Sequence, residues 1–121
     1  MNETPNNKNK KYDLEERTLA FAKKIIQFAN NLPKTISNIE IAKQLVKAGT
    51  SVGANYIEAN EALSKKDFIM RIKICRKESK ESIYWLKLAE IREQQVDDRK
   101  WLIGEATELL KIFSSIIEKS K

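Results

Sequence analysis

The chain has 121 residues with little glycine (3) or proline (2), 41% apolar and 33% charged residues, and a net charge of +6. That length suits one domain with a real core, and the abundance of Lys, Glu, Ile, Leu and Ala suits helices. A lone cysteine excludes an internal disulfide, and the absence of histidine removes the commonest general base and metal ligand.

No apolar run reaches the ~18 residues of a membrane span. The polar N-terminus carries no hydrophobic signal core. A soluble, cytoplasmic protein without membrane attachment is expected. The positive charge permits nucleic acid or an acidic surface as partner without demanding either.

Residues 1–11 are rich in Asn and Lys and read as a flexible basic tail. A first helix is predicted over about 13–31. Asp13 is its expected N-cap, with Glu16 completing a capping box. Leu14, Thr18, Phe21, Ile25, Phe28 and Leu32 form its apolar stripe, and Pro33 ends it.

A second helix is predicted over about 37–63, from a Ser37/Glu40 capping box. Its stripe is Leu45, Gly49, Val52, Tyr56, Ala59 and Leu63. Glycine in a helix interior costs about 1 kcal/mol relative to alanine, so Gly49 and Gly53 need a reason. The expected one is close approach of another helix, a steric argument best attested for membrane helices.

A third helix is predicted over about 65–92, capped by Ser64 with Asp67. Phe68, Ile72, Cys75, Ser79, Ser82, Leu86 and Ala89 form its seam. Cys75 reads as a buried structural thiol, since no histidine exists to activate it. A fourth helix is predicted over about 97–119, capped by Asp97 or Asp98. Its stripe is Leu102, Ala106, Leu109, Phe113 and Ile116. Four such stripes with short connections over residues 12–121 predict an all-α, antiparallel up-down-up-down four-helix bundle.

Charge concentrates on the third helix. Residues 65–92 hold nine basic and four acidic side chains, net +5. Lys66, Lys73, Lys77, Lys80 and Lys87 recur at helical spacing, with Tyr84 in the same line. Such a stripe can neutralise phosphates, and a solvated face with Glu–Lys pairs is the alternative. Arg71 and Arg76 are supporting candidates. Lysines favour phosphates over base edges, so binding would be weakly sequence-specific.

Asn55 and Glu58 on the second helix and Glu78 and Glu81 on the third are candidates for a polar network, with Lys77 and Arg76, that fixes helix register. Facing glutamates in a bundle also suggest a di-iron site or a metal-dependent nuclease built on Glu58, Glu78 and Glu81. Such di-iron sites use Glu-x-x-His motifs, so no metal, cofactor or catalytic residue is expected. Large apolar residues remain off the stripes, among them Trp85, Leu88 and Trp101. They predict a homo-oligomer interface, with a broad monomeric core as the alternative.

Four segments together resemble one family. They are Tyr12-Asp13-Leu14-Glu15-Glu16-Arg17-Thr18, Thr50-Ser51-Val52-Gly53-Ala54-Asn55-Tyr56-Ile57-Glu58-Ala59, Lys66-Asp67-Phe68, and Arg76-Lys77-Glu78-Ser79-Lys80-Glu81-Ser82-Ile83-Tyr84-Trp85-Leu86. They look like the bacterial four-helix-bundle proteins encoded in intervening sequences of 23S ribosomal RNA genes. The accessory variability protein of diversity-generating retroelements is similar. Ser79 and Ser82 depart from the more usual Ala and Thr, and Val52 from Ile. The resemblance implies a ring-like homopentamer with basic surface and no catalytic activity. It further implies a reverse transcriptase and nucleic acid, RNA or DNA, as possible partners.

The residues thus support three readings. One is a non-enzymatic oligomer that binds structured nucleic acid. Another is a protein-interaction scaffold or accessory subunit docking through the tryptophans. The third is a metal-dependent enzyme, disfavoured by the lack of histidine, of a glycine-rich loop and of a nucleophile–base pair.

Overall fold

The computed structural model describes residues 6–121, with side chains from Leu14 onward. Four helices follow one another: α1 (Asn6–Asn30), α2 (Ile36–Asn60), α3 (Lys65–Leu88) and α4 (Val96–Lys119). A single 3-10 turn, Glu93–Gln95, precedes α4. Among the described residues there is no strand, and no helix is long and apolar enough to cross a membrane.

Consecutive helices pack on one another, α1 on α2, α2 on α3 and α3 on α4, and α4 returns more lightly to α1. The core is built from the predicted stripes. Phe21, Ile25, Leu45, Val52, Ile72, Cys75, Leu86, Leu102, Ala106, Leu109 and Phe113 are fully buried. The Tyr56 and Phe113 rings meet at 6.2 Å between α2 and α4. The small α3 seam is polar yet satisfied. Ser79 Oγ donates to the Cys75 carbonyl at 2.9 Å, and Ser82 Oγ to the Glu78 carbonyl at 2.8 Å.

The glycines of α2 face α1. A Cβ on Gly49 would stand 2.8 Å from Ile25 Cγ2, and one on Gly53 2.9 Å from Thr18 Oγ1. Thr18 is itself buried and donates back to the Leu14 carbonyl at 2.7 Å. The expected close helix approach is therefore the α1–α2 contact.

The helix ends differ from expectation in several places. α1 begins at Asn6, so Asp13 lies inside it and not at its cap. Extending a formed helix adds one hydrogen bond per residue ordered, so a polar Asn/Lys segment can continue one. Residues 1–5 of the expected tail and the Asp13 side chain lie outside the described residues. α2 is capped by Thr35, whose hydroxyl accepts from Asn38 N, and not by Ser37. It stops at Asn60, which leaves Leu63 fully exposed in the turn and off the core. Ser64 caps α3 by accepting from Asp67 N, but α3 ends at Leu88, not near 92. α4 starts at Val96, so Asp97 and Asp98 sit in its first turn instead of capping it. Carboxylates there still favour the positive end of the helix dipole. Near its C-terminus Ile117 is buried and Ile116 only half-buried.

The turn end of the bundle is fastened by two buried amides. Asn38 Nδ2 donates to the Pro33 and Glu90 carbonyls at 2.9 and 2.8 Å, and its Oδ1 accepts from Glu90 N at 3.0 Å. Gln95 Nε2 donates to the Phe28 carbonyl at 3.1 Å, and its Oε1 accepts from Arg92 N at 3.2 Å. Backbone groups that would otherwise be stranded where the helices stop are thereby satisfied.

Candidate functional site

The lysine line of α3 follows from helical periodicity. Steps of seven, four and three residues hold Lys66, Lys73, Lys77, Lys80, Tyr84 and Lys87 on one side of the cylinder, away from the Ile72–Cys75–Ser79–Leu86 seam. All six are exposed. Lys77 lies 3.7 Å from Glu78. Among the described residues, no carboxylate is within ion-pair distance of Lys66, Lys73, Lys80 or Lys87. A rigid helix carries the row, and at 1.5 Å per residue Lys66 and Lys87 stand ~30 Å apart.

The two arginines behave differently from the lysines. Arg71 is half-buried on the α2 side of α3, where its Nη1 donates to Asn55 Oδ1 at 2.9 Å. Arg76 is also half-buried, one turn from both Lys73 and Lys80. Only Arg76 therefore adjoins the lysine line.

The expected polar network condenses to fewer members. Asn55 joins α2 to α3 through Arg71, and its Nδ2 donates to the Ser51 carbonyl at 2.9 Å. Glu78 pairs with its neighbour Lys77, on its own helix. Burial pushes the Glu78 carboxyl above its ordinary range, and the nearby Glu81 charge adds to that. Glu58 and Glu81 are exposed, and among the described residues neither bonds another helix. Among those residues, no group of acidic or thiol side chains is arranged to hold a metal ion. The Cys75 thiol is pushed up to about 12 by burial and donates to the Val52 carbonyl at 3.4 Å, as a structural group.

Trp85, Leu88 and Trp101 lie on two different helix boundaries. Trp85 is half-buried against the core, and its ring meets Tyr84 edge-on at 5.0 Å. Leu88 and Trp85 continue the α3 flank that holds Arg71 and Glu78, which borders α2. Trp101 is 46% exposed on the α1 side of α4, with Lys24 Nζ 4.6 Å above its ring. In a ring of four helices those two boundaries lie on opposite sides.

A different apolar face emerges at the α1–α2 boundary. Glu15, Leu19, Ala22 and Ile26 follow one flank of α1, and Asn60 of α2 donates to Glu15 Oε2 at 2.8 Å. Ile39, Val46 and Gly53 recur every seven residues on the facing flank of α2. Leu19, Ile26, Ile39 and Ile57 are large, apolar and exposed. The heptad spacing of Ile39 and Val46 with the close-packed Gly53 was the available signal in sequence. The buried Asn38 and Gln95 carried no comparable signal, because a polar residue near a helix start normally reads as solvated.

A family model described as 23S rRNA-intervening sequence protein matches residues 10–115. Among solved structures, the chain is similar to a protein of unknown function from the S23 ribosomal protein family of Bacteroides thetaiotaomicron. The two are 33% identical with a TM-score of 0.78, over 90% of this chain and 98% of that one. No curated protein matches the chain.

Proposed function

Since the chain belongs to the 23S rRNA-intervening sequence protein family, we propose that it works as a non-enzymatic homo-oligomer, a pentamer as the resemblance implies, that binds structured nucleic acid through phosphates. The observation that carries this reading is the row of Lys66, Lys73, Lys77, Lys80 and Lys87, exposed along one rigid helix beside Tyr84. Each lysine that meets a phosphate releases counterions and adds to affinity and to its salt dependence. Assembly multiplies such rows, so weak contacts sum to avidity.

Support for assembly comes from the exposed apolar residues Leu19, Ile26, Ile39 and Ile57 at the α1–α2 boundary. Large apolar side chains gathered on one helix boundary and left exposed suit a protein contact. The same face favours a second reading, an accessory subunit that docks a partner protein such as a reverse transcriptase. Lysine substitutions separate the two, because they weaken phosphate contact and leave an apolar docking face intact. The deciding test is nucleic-acid binding across a salt series, with assembly mass measured on the same sample.

A further inference from the structure

The lightly packed α1–α4 boundary opens at the turn end into a groove of about 440 Å³. That lies within the ~300–1,000 Å³ range of small-ligand sites. One wall is Lys24 and Gln27 of α1 with Asn31 just past its end, and the other is Gln94 and Asp98, with Arg92 at the turn. Phe28 and Leu102 form its apolar floor. Arg92 Nε donates to the Asn31 carbonyl at 3.0 Å, which fixes that guanidinium at the Asn31 end. Lys24 stands two helical turns before Asn31, ~10 Å along the helix axis.

The side chains between them carry both donors and acceptors. Gln27 and Gln94 are exposed, and among the described residues their amide groups make no hydrogen bond to protein. Free amides with a carboxylate at Asp98 match the mixed donor and acceptor edge of a nucleobase. The Lys24 ammonium matches a phosphate.

We propose that this groove holds one unpaired nucleotide, its base against Gln27, Gln94 and Asp98 and its phosphate on Lys24. The nucleotide is either free or part of a single strand. The site shares phosphate chemistry with the α3 reading but none of its residues, so either can fail without the other. Lys24 also covers the Trp101 ring, so phosphate capture by Lys24 would change Trp101 emission.

The test is a fluorescence titration of the full chain carrying Trp85→Phe, which leaves Trp101 as its single tryptophan, with fold and assembly checked first. Probes are the four ribonucleoside monophosphates, the matching nucleosides, inorganic phosphate and a mixed-sequence RNA hexamer. A saturable change is expected with a monophosphate or the hexamer, weakened about tenfold or more by Gln27→Ala/Gln94→Ala and by Lys24→Gln. Saturation by monophosphates identifies a free nucleotide as ligand, and saturation by the hexamer alone identifies a strand. The double amide variant keeps the test valid if Lys24→Gln itself alters the Trp101 signal. No saturable change with any probe overturns the proposal. So does equal binding of inorganic phosphate, or binding insensitive to the amide variant.

Discussion

Gly49 of α2 lies so close to Ile25 of α1 that a Cβ on the glycine would come within 2.8–2.9 Å of the isoleucine side chain. Ile25 is fully buried and β-branched, so it has little room to yield. Alanine would gain about 1 kcal/mol of helix propensity, but overpacking costs about 1–3 kcal/mol. Gly49→Ala should therefore lower stability by about 1 kcal/mol. Gly104 is the control, because a Cβ there meets nothing within 4 Å. Gly104→Ala should raise the melting temperature by roughly 3–6 °C. Calorimetry of the two variants checks the opposite signs.

The buried Asn38 amide ties α2 to the backbone of Glu90 on both its donor and acceptor sides. Asn38→Asp keeps an acceptor for Glu90 N–H but sets a charge against the Pro33 and Glu90 carbonyls. It should cost about 2 kcal/mol or more in denaturant unfolding. Asn38→Leu should cost a similar amount by leaving those backbone groups without partners. A loss below about 0.5 kcal/mol for both would show that this end of the bundle does not depend on the amide.

Burial raises Glu78 above its ordinary value of 4.5, with Glu81 contributing. A carboxyl raised in the folded state binds protons more tightly there than in the unfolded chain. Its contribution to stability is therefore complete below 4.5 and falls as pH rises through the window up to the raised value. Glu78→Gln removes that loss. The stability of Glu78→Gln relative to the native chain should grow between pH 4 and pH 7. Denaturation at both pH values measures the difference, and an unchanged difference would contradict the assignment.

Cys75 is fully buried and its thiol is pushed up to about 12. At pH 8 the thiolate fraction is on the order of 10⁻⁴. A disulfide reagent should label the native protein only as fast as the bundle opens, with denaturant accelerating it. Rapid labelling in native buffer would contradict a structural role.

The core was legible because each stripe repeats at the helical period. Leu14 through Leu32 and Ile72 through Ala89 needed only spacing to be placed. Gly49 and Gly53 were legible as a close contact for the same reason, although their partner, α1, was not. The helix ends were less legible. Competing caps such as Thr35 and Ser37 lie two residues apart, and their relative merit depends on where the backbone turns. The Lys66–Lys87 row could be read from one helix alone. The relative placement of Trp85, Leu88 and Trp101 depended on how α3 and α4 are rotated against their neighbours, which spacing within one helix cannot fix. The Asn38–Glu90 bond joins residues 52 apart in the chain and leaves no local pattern.

The α3 lysines carry the proposed phosphate contact. The most direct measurement is affinity for structured RNA and duplex DNA across a salt series, with mass by light scattering on the same samples. The native chain is compared with Lys73→Gln/Lys77→Gln/Lys80→Gln. Phosphate contact predicts steep loss of affinity with salt, and a log–log slope reduced by about one per lysine removed, at unchanged mass. No binding at low salt by a correctly assembled oligomer, or a slope untouched by the triple substitution, would contradict it.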